Sequence, residues 1–178
     1  QGDKVVPRSA RSADDFAWGR ERFLDEARAL ARFRHPHIVP VLRFLTANGT
    51  AYTVMEFEDG RSLGQMLRHS GRLPPDEVRR LAEGVLLGLG AVHAQGFLHR
   101  DIKPSNIIIR RDGVPILIDF GAARQAMGDR SRTLTSVLTP QYAPIEQYTA
   151  EGKQGPWSDI YSAAAVLRLL GVRTASAP

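Results

Sequence analysis

A mixed α+β chain in two parts is the fold class this sequence predicts, and three observations carry it. Two β-rich runs meet at Asn48-Gly49. Helical patterns flank a loop-rich centre. A break at Glu58–Arg61 joins the two parts. No internal repeat or low-complexity segment disturbs that order.

Residues 1–12 have no period and read as loop. "SADDFAWGRERFLDEARALARFRHP" reads as a helix, with Phe16, Phe23, Ala27, Leu30 and Ala31 on one face and Asp14 or Asp15 as cap. His35-Pro36 ends it. "IVPVLRFLT" and "AYTVMEF" are strands around Asn48-Gly49, a dipeptide that accepts the positive φ angles of a tight hairpin. "LGQMLRHSG" is a short helix stopped by Gly71. "PPDEVRRLAEGVLLGLGAVHAQG" is a long helix, with proline in its first turn, acids early and Gly96 at its end. "NIIIR" and "PILID" form a second hairpin around Asp112-Gly113. Residues 121–143 are polar and read as a long loop. "SDIYSAAAVLRLLG" is an apolar helix starting at Ser158 or Asp159.

The chain has 178 residues, 43% hydrophobic and 24% charged, enough for one domain with a core. It has no cysteine, which excludes disulfides and thiolate metal sites. No apolar run is long enough to span a membrane, and "QGDKVVPRSA" lacks the apolar core of a signal peptide, so the expected compartment is the cytoplasm, with any membrane anchor outside this segment. The net charge of +5 comes almost entirely from arginines interspersed with acids. That scatter argues against nucleic-acid or membrane contact, which call for a block or stripe of charge.

The chemistry concentrates in "LHRDIKPSN", Leu98 to Asn106. Asp101 is placed to accept a proton from a hydroxyl, and Lys103 to neutralise charge on a phosphoryl group in flight. Asn106 opens one strand of the second hairpin and Asp119 ends the other, so the hairpin folds them together. An amide oxygen and a carboxylate suit Mg²⁺, a hard cation that keeps water and phosphate oxygens as its remaining ligands. Phosphoryl transfer needs these parts, because positioning and electrostatics supply most of its catalysis.

"HRDIKPSN" followed by "DFG" resembles the catalytic and metal-binding loops of protein kinases, and "VLTPQYAPIEQY" and "GPWSDIYSAAAVL" are similar to bacterial, eukaryotic-like members. The resemblance runs from about Phe16 to Leu170. It implies a two-lobe kinase fold: residues 1–57 as part of the small lobe, 58–61 as hinge and 62–178 as part of the large lobe. It implies transfer of the ATP γ-phosphate to serine or threonine hydroxyls of protein substrates, with Mg²⁺. Asp101 would be the catalytic base, and Asn106 and Asp119 the metal ligands. Lys103 and Thr139 match the serine/threonine subclass, a pattern not expected of small-molecule phosphotransferases. Glu26 matches the glutamate of the regulatory helix. Met55 would be the gatekeeper, Glu56 and Glu58 would offer hinge backbone groups to adenine, and Ile108 its floor. Leu30, Val41, His99 and Phe120 match the apolar stack of the family, and Asp159 would brace the catalytic loop from below.

The chain departs from the family pattern in four respects. No glycine-rich phosphate loop is present; "GLGAVH" lies inside a long helix. A strand lysine to pair with Glu26 is not visible, Lys4 being the only lysine upstream. Ile145 replaces a proline before Glu146, and the sequence stops soon after the last helix. The expectation is a kinase domain cut at both ends and inactive alone, the alternative being a non-catalytic binding or scaffold module. Arg100, before Asp101, implies regulation by phosphorylation, with Thr133 and Thr135 as first acceptors and Ser131 and Ser136 behind them.

Overall fold

The computed structural model describes residues 5, 13, 16–21, 23–24, 28, 31, 34–70, 72–120, 124–125, 140–149 and 152–171. The chain divides into two compact units. One comprises Gln1–Arg34 with Val39–Phe57, the other His35–Ile38 with Glu58–Pro178.

In the first unit, α1 is helical at every described residue from 13 to 28. The Arg28 guanidinium lies 5.6 Å from the centre of the Phe44 ring, within cation–π range. Strands β1 (Val41–Ala47) and β2 (Thr50–Met55) pair antiparallel, Ala47 opposite Thr50 and Val41 opposite Met55. Asn48 and Gly49 turn the chain at φ 52° and 76°, the positive values the dipeptide was read to allow. The Val5 N–H donates to the Asn48 carbonyl at 2.8 Å.

The second unit is built on a three-stranded antiparallel sheet in the order β3 (Gly60–Ser62), β5 (Ile107–Arg110), β6 (Pro115–Leu117). Ile38 adds a parallel bridge to Leu117, and the Leu117 N–H donates to the His37 carbonyl at 2.9 Å. Residues 60–62 correct the sequence reading, which had only a break there. Three residues are too short to show a period of two, and the strand exists because β5 pairs with it. Gly60 permits that pairing: a Cβ there would stand 2.4 Å from the Ile109 carbonyl oxygen. A second correction falls within 121–143, where β7 (Arg124–Gln125) pairs with β4 (Phe97–Leu98).

Helix α2 (Leu63–Ser70) opens on a reciprocal cap. The Gln65 N–H donates to Ser62 Oγ at 3.2 Å, and the Ser62 N–H to Gln65 Oε1 at 2.9 Å. Helix α3 (Pro75–Ala94) buries Val78, Leu81, Val85, Leu89 and Val92 on one stripe, with Gly84 and Gly88 on the same face. Those glycines let it close on β6 and the His37 segment: a Cβ at Gly84 would lie 2.5 Å from Pro115 Cγ and 2.8 Å from His37 Cε1. Helix α4 (Pro156–Leu169) packs on α3 and starts two residues before Ser158, with Gly155 ahead of it. Ser158 and Asp159 are fully buried in its first turns rather than exposed as caps. Among the described residues, no helix is long and apolar enough to cross a membrane.

Candidate active site

Residues 99–106 connect β4 to β5, and buried side chains hold them from below. Asp159, fully buried on α4, accepts from the His99 N–H at 2.8 Å and the Arg100 N–H at 2.7 Å, and its Oδ2 lies 2.7 Å from His93 Nε2 on α3. Burial by itself would raise the Asp159 carboxyl. The His93 hydrogen bond, the His99 ring and the two backbone N–H groups together hold it below its ordinary value. Burial pushes the His99 imidazole below its ordinary value, although Asp159, Asp101 and Asp119 pull the other way. The ring packs at a tilt of 43° against Phe120, centroids 4.5 Å apart, and its Nδ1 accepts a long bond from the Asp101 N–H at 3.4 Å. Its Nε2 is buried without a hydrogen-bond partner.

On this base sits a cluster of charged and amide groups. Lys103 Nζ lies 2.7 Å from Asp101 Oδ2, and Asn106 Nδ2 donates to that same oxygen at 2.9 Å and to the Asp101 carbonyl at 2.9 Å. Two donors on Oδ2 fix the rotation of the carboxylate. They also commit the Asn106 NH₂, so its Oδ1 is the acceptor it can offer, and Ser105 Oγ reaches it at 3.3 Å. The Asn106 carbonyl accepts from the Ile118 N–H at 3.0 Å, which brings Asn106 and Asp119 to the same end of the β5–β6 hairpin. Asn106 Oδ1 and a carboxylate are hard oxygen donors, and this pair fits Mg²⁺. Among the described residues there is no group of three or more His, Cys, Asp or Glu suited to a metal, so a softer, imidazole-rich centre has no ligand set here.

Arg100 and Asp119 both hold positive φ angles, 67° and 61°. Side chains longer than glycine avoid this left-handed region at a cost of about 1–2 kcal/mol, and such strain gathers at functional sites.

A second set of supports centres on Gln147, which local sequence patterns did not single out. Gln147, buried in the 3-10 turn Ile145–Gln147, donates from Nε2 to the Arg100 carbonyl at 3.2 Å. Next to it, Glu146 Oε1 accepts from Ser158 Oγ at 2.6 Å, and Ser158 Oγ accepts from the Gly155 N–H at 3.3 Å. The contacts of His93 with Asp159, Gln147 with Arg100 and Ser158 with Glu146 span 66, 47 and 12 positions, and nothing within one element of sequence signals them.

The other expected residues fall as follows. Met55 ends β2 and is 39% exposed; the Glu56 N–H donates to the Pro40 carbonyl at 2.9 Å; both belong to the first unit. Glu58 and Ile108 belong to the second. The Glu58 carboxylate lies 3.3 Å from Arg110 Nε, and Ile108 pairs with Ser62 and Ile116. Glu26, Leu30, Lys4, Thr139 and the acceptor hydroxyls of Ser131, Thr133, Thr135 and Ser136 lie outside the described residues.

Residues 2–175 match the family model of the protein kinase domain. The chain is 40% identical over 163 residues to a probable serine/threonine-protein kinase of Streptomyces coelicolor, covering 85% of this chain and 24% of that protein. It is 36% identical over 154 residues to the serine/threonine-protein kinase PknD of Mycobacterium tuberculosis, covering 86% and 23%. A solved structure described as the apo form of PpkA-294 superposes with a TM-score of 0.77 at 41% identity, over 95% of this chain and 59% of that one. The chain thus spans about a quarter of the length of these curated relatives.

Proposed function

The chain belongs to the protein kinase family, and from that premise we propose that it carries the phosphoryl-transfer loop of a bacterial serine/threonine protein kinase. The observation that carries this reading is the Asp101 carboxylate, fixed by Lys103 at 2.7 Å and Asn106 at 2.9 Å. Asp101 takes the proton of a serine or threonine hydroxyl on a protein substrate. The hydroxyl oxygen bonds to the γ-phosphorus of ATP as the bond to the ADP oxygen breaks, and ADP leaves. Lys103 offsets charge on the phosphoryl oxygens, and Thr139 supports the acceptor pocket. The Asp119 carboxylate and Asn106 Oδ1 are the groups that would hold Mg²⁺, which when bound neutralises charge on the phosphates. By their match to the family pattern, Met55 is read as the gatekeeper, Glu56 and Glu58 as hinge backbone groups for adenine, Ile108 as its floor, and Glu26 as the glutamate of the regulatory helix. Use of ATP fits a cytoplasmic setting, and the scattered arginines fit a protein partner rather than nucleic acid.

Within these 178 residues no glycine-rich stretch precedes Glu26. The chain by itself is therefore read as binding ATP weakly and transferring no measurable phosphate, and the same feature supports a second reading as a non-catalytic scaffold. The test is transfer of labelled γ-phosphate to a protein acceptor by the gene product that contains this chain. Asp101→Asn should abolish transfer and spare nucleotide binding. Transfer undiminished in that variant refutes Asp101 as the base, and no transfer by the unaltered product favours the scaffold.

A further inference from the structure

Arg100 is held in its left-handed conformation from two sides. Asp159 Oδ1 grips its N–H at 2.7 Å, and Gln147 Nε2 grips its carbonyl at 3.2 Å. That carbonyl belongs to the peptide whose nitrogen is Asp101's own. Whatever holds it sets the plane from which the Asp101 side chain departs.

Gln147 is itself held. It is 7% exposed, and its N–H closes a turn onto the Pro144 carbonyl at 3.0 Å. Its neighbour Glu146 is anchored by Ser158 at 2.6 Å. Ser158 and Asp159 are consecutive, fully buried residues of α4. One helical turn therefore grips both ends of Arg100, directly through Asp159 and through Glu146-Gln147 on the carbonyl side. The amide orientation follows from its partner, because a carbonyl accepts only the NH₂ end. Its Oε1 is buried without a hydrogen-bond partner, so the bond to Arg100 is what this amide makes at the loop.

We infer that Gln147 is a positioning residue: it locks the Arg100–Asp101 peptide, and through it the carboxylate, in the geometry the reaction uses. This rests on the reading of Asp101 as the base. It also gives the segment that follows residues 121–139 a direct hold on the catalytic loop. Displacing a reacting group by about 1 Å can lower a rate by about a hundredfold, so a single bond at this peptide has leverage on turnover.

The test is Gln147→Met, which keeps length and removes the donor, and Gln147→Glu, which sets an acceptor against the carbonyl. Amide hydrogen exchange is followed across the chain. The expected result is exchange about tenfold faster at His99–Ile102 in both variants, with α3 unchanged. Unchanged exchange at His99–Ile102, or acceleration shared equally by α3, would overturn the inference. In the full gene product, Gln147→Met should lower kcat about tenfold and leave the KM for ATP within about twofold. A raised KM with kcat intact overturns it too. Exchange does not require phosphoryl transfer, so an inactive wild type counts against the functional reading alone and leaves the role of Gln147 to the exchange data.

Discussion

Replacing Asp159 with asparagine changes one atom in a side chain that solvent does not reach. The carboxylate accepts from two backbone N–H groups at 2.8 and 2.7 Å and meets His93 at 2.7 Å. An asparagine keeps one acceptor and presents an NH₂ in place of the other. One backbone N–H, or His93, then faces a donor. Hydrogen bonds to a charged group contribute about 1.5–3 kcal/mol, and a buried donor left unsatisfied costs about 1–3 kcal/mol. Removing a buried charge recovers part of its desolvation penalty. The balance is a loss of about 2–3 kcal/mol, a large share of the roughly 5–15 kcal/mol that a domain has. Urea unfolding followed by circular dichroism measures it, with an unchanged m-value as the sign that only stability moved. Asp159→Asn within about 0.5 kcal/mol of wild type would refute the idea that this carboxylate holds the loop.

Stability should fall on acidification, starting with His99. Its imidazole is lowered by burial, so it stabilises the fold fully above its unfolded value of 6.5, and that contribution is lost as pH drops through the lower folded value. Asp159, lowered from 3.8, acts with the same sign in more acid solution. Urea midpoints from pH 7.5 to 5 should decline in wild type and decline less in His99→Phe; parallel profiles would exclude His99 as the cause. On α3, Gly84→Ala drives a Cβ to 2.5 Å from the rigid Pro115 ring and should cost about 1–3 kcal/mol. Gly90→Ala meets nothing within 4 Å and should raise stability by up to about 1 kcal/mol. Thermal melts of the two variants, shifted in opposite directions, check both; a shift of the same sign would contradict the packing of α3 described above.

The sequence made the local parts of this molecule readable and left the distant ones hidden. Asn48-Gly49 and Asp112-Gly113 name their turns because the required backbone angles belong to those residue types; Gly113 sits at φ 82°. Helix α3 announces itself by the proline and acids of its first turn and by Gly96 at its end, signals that lie at the ends of the element they mark. Asp101, Lys103 and Asn106 could be read together since one short loop carries all three. Strands β3, β4 and β7 escaped, being two or three residues long and defined by their partners. Asp159 could be assigned as the brace of the loop through its match to the family pattern, but its contact with His93 and the hold of Gln147 on Arg100 escaped for a related reason. Nothing near His93 announces Asp159, and nothing near Gln147 announces Arg100, because each pair meets only after the chain has packed.

Residues 35–38 belong to the second unit, yet they lie between α1 and β1 of the first. His37 Nδ1 meets the Pro115 carbonyl at 2.9 Å across 78 positions. During synthesis this segment leaves the ribosome well before the strand that receives it. It must wait unpaired while the whole of β1, β2, α2 and α3 is made. Closing a loop of that size costs roughly 4 kcal/mol in chain entropy beyond a constant, which a bridge at one sheet edge does not offset until Gly84 and Gly88 have closed over it. The second unit therefore cannot mature as an autonomous C-terminal piece. A polypeptide begun at Glu58 would carry a vacant groove along β6 and α3, and adding back a peptide of residues 34–40 in trans should fill it.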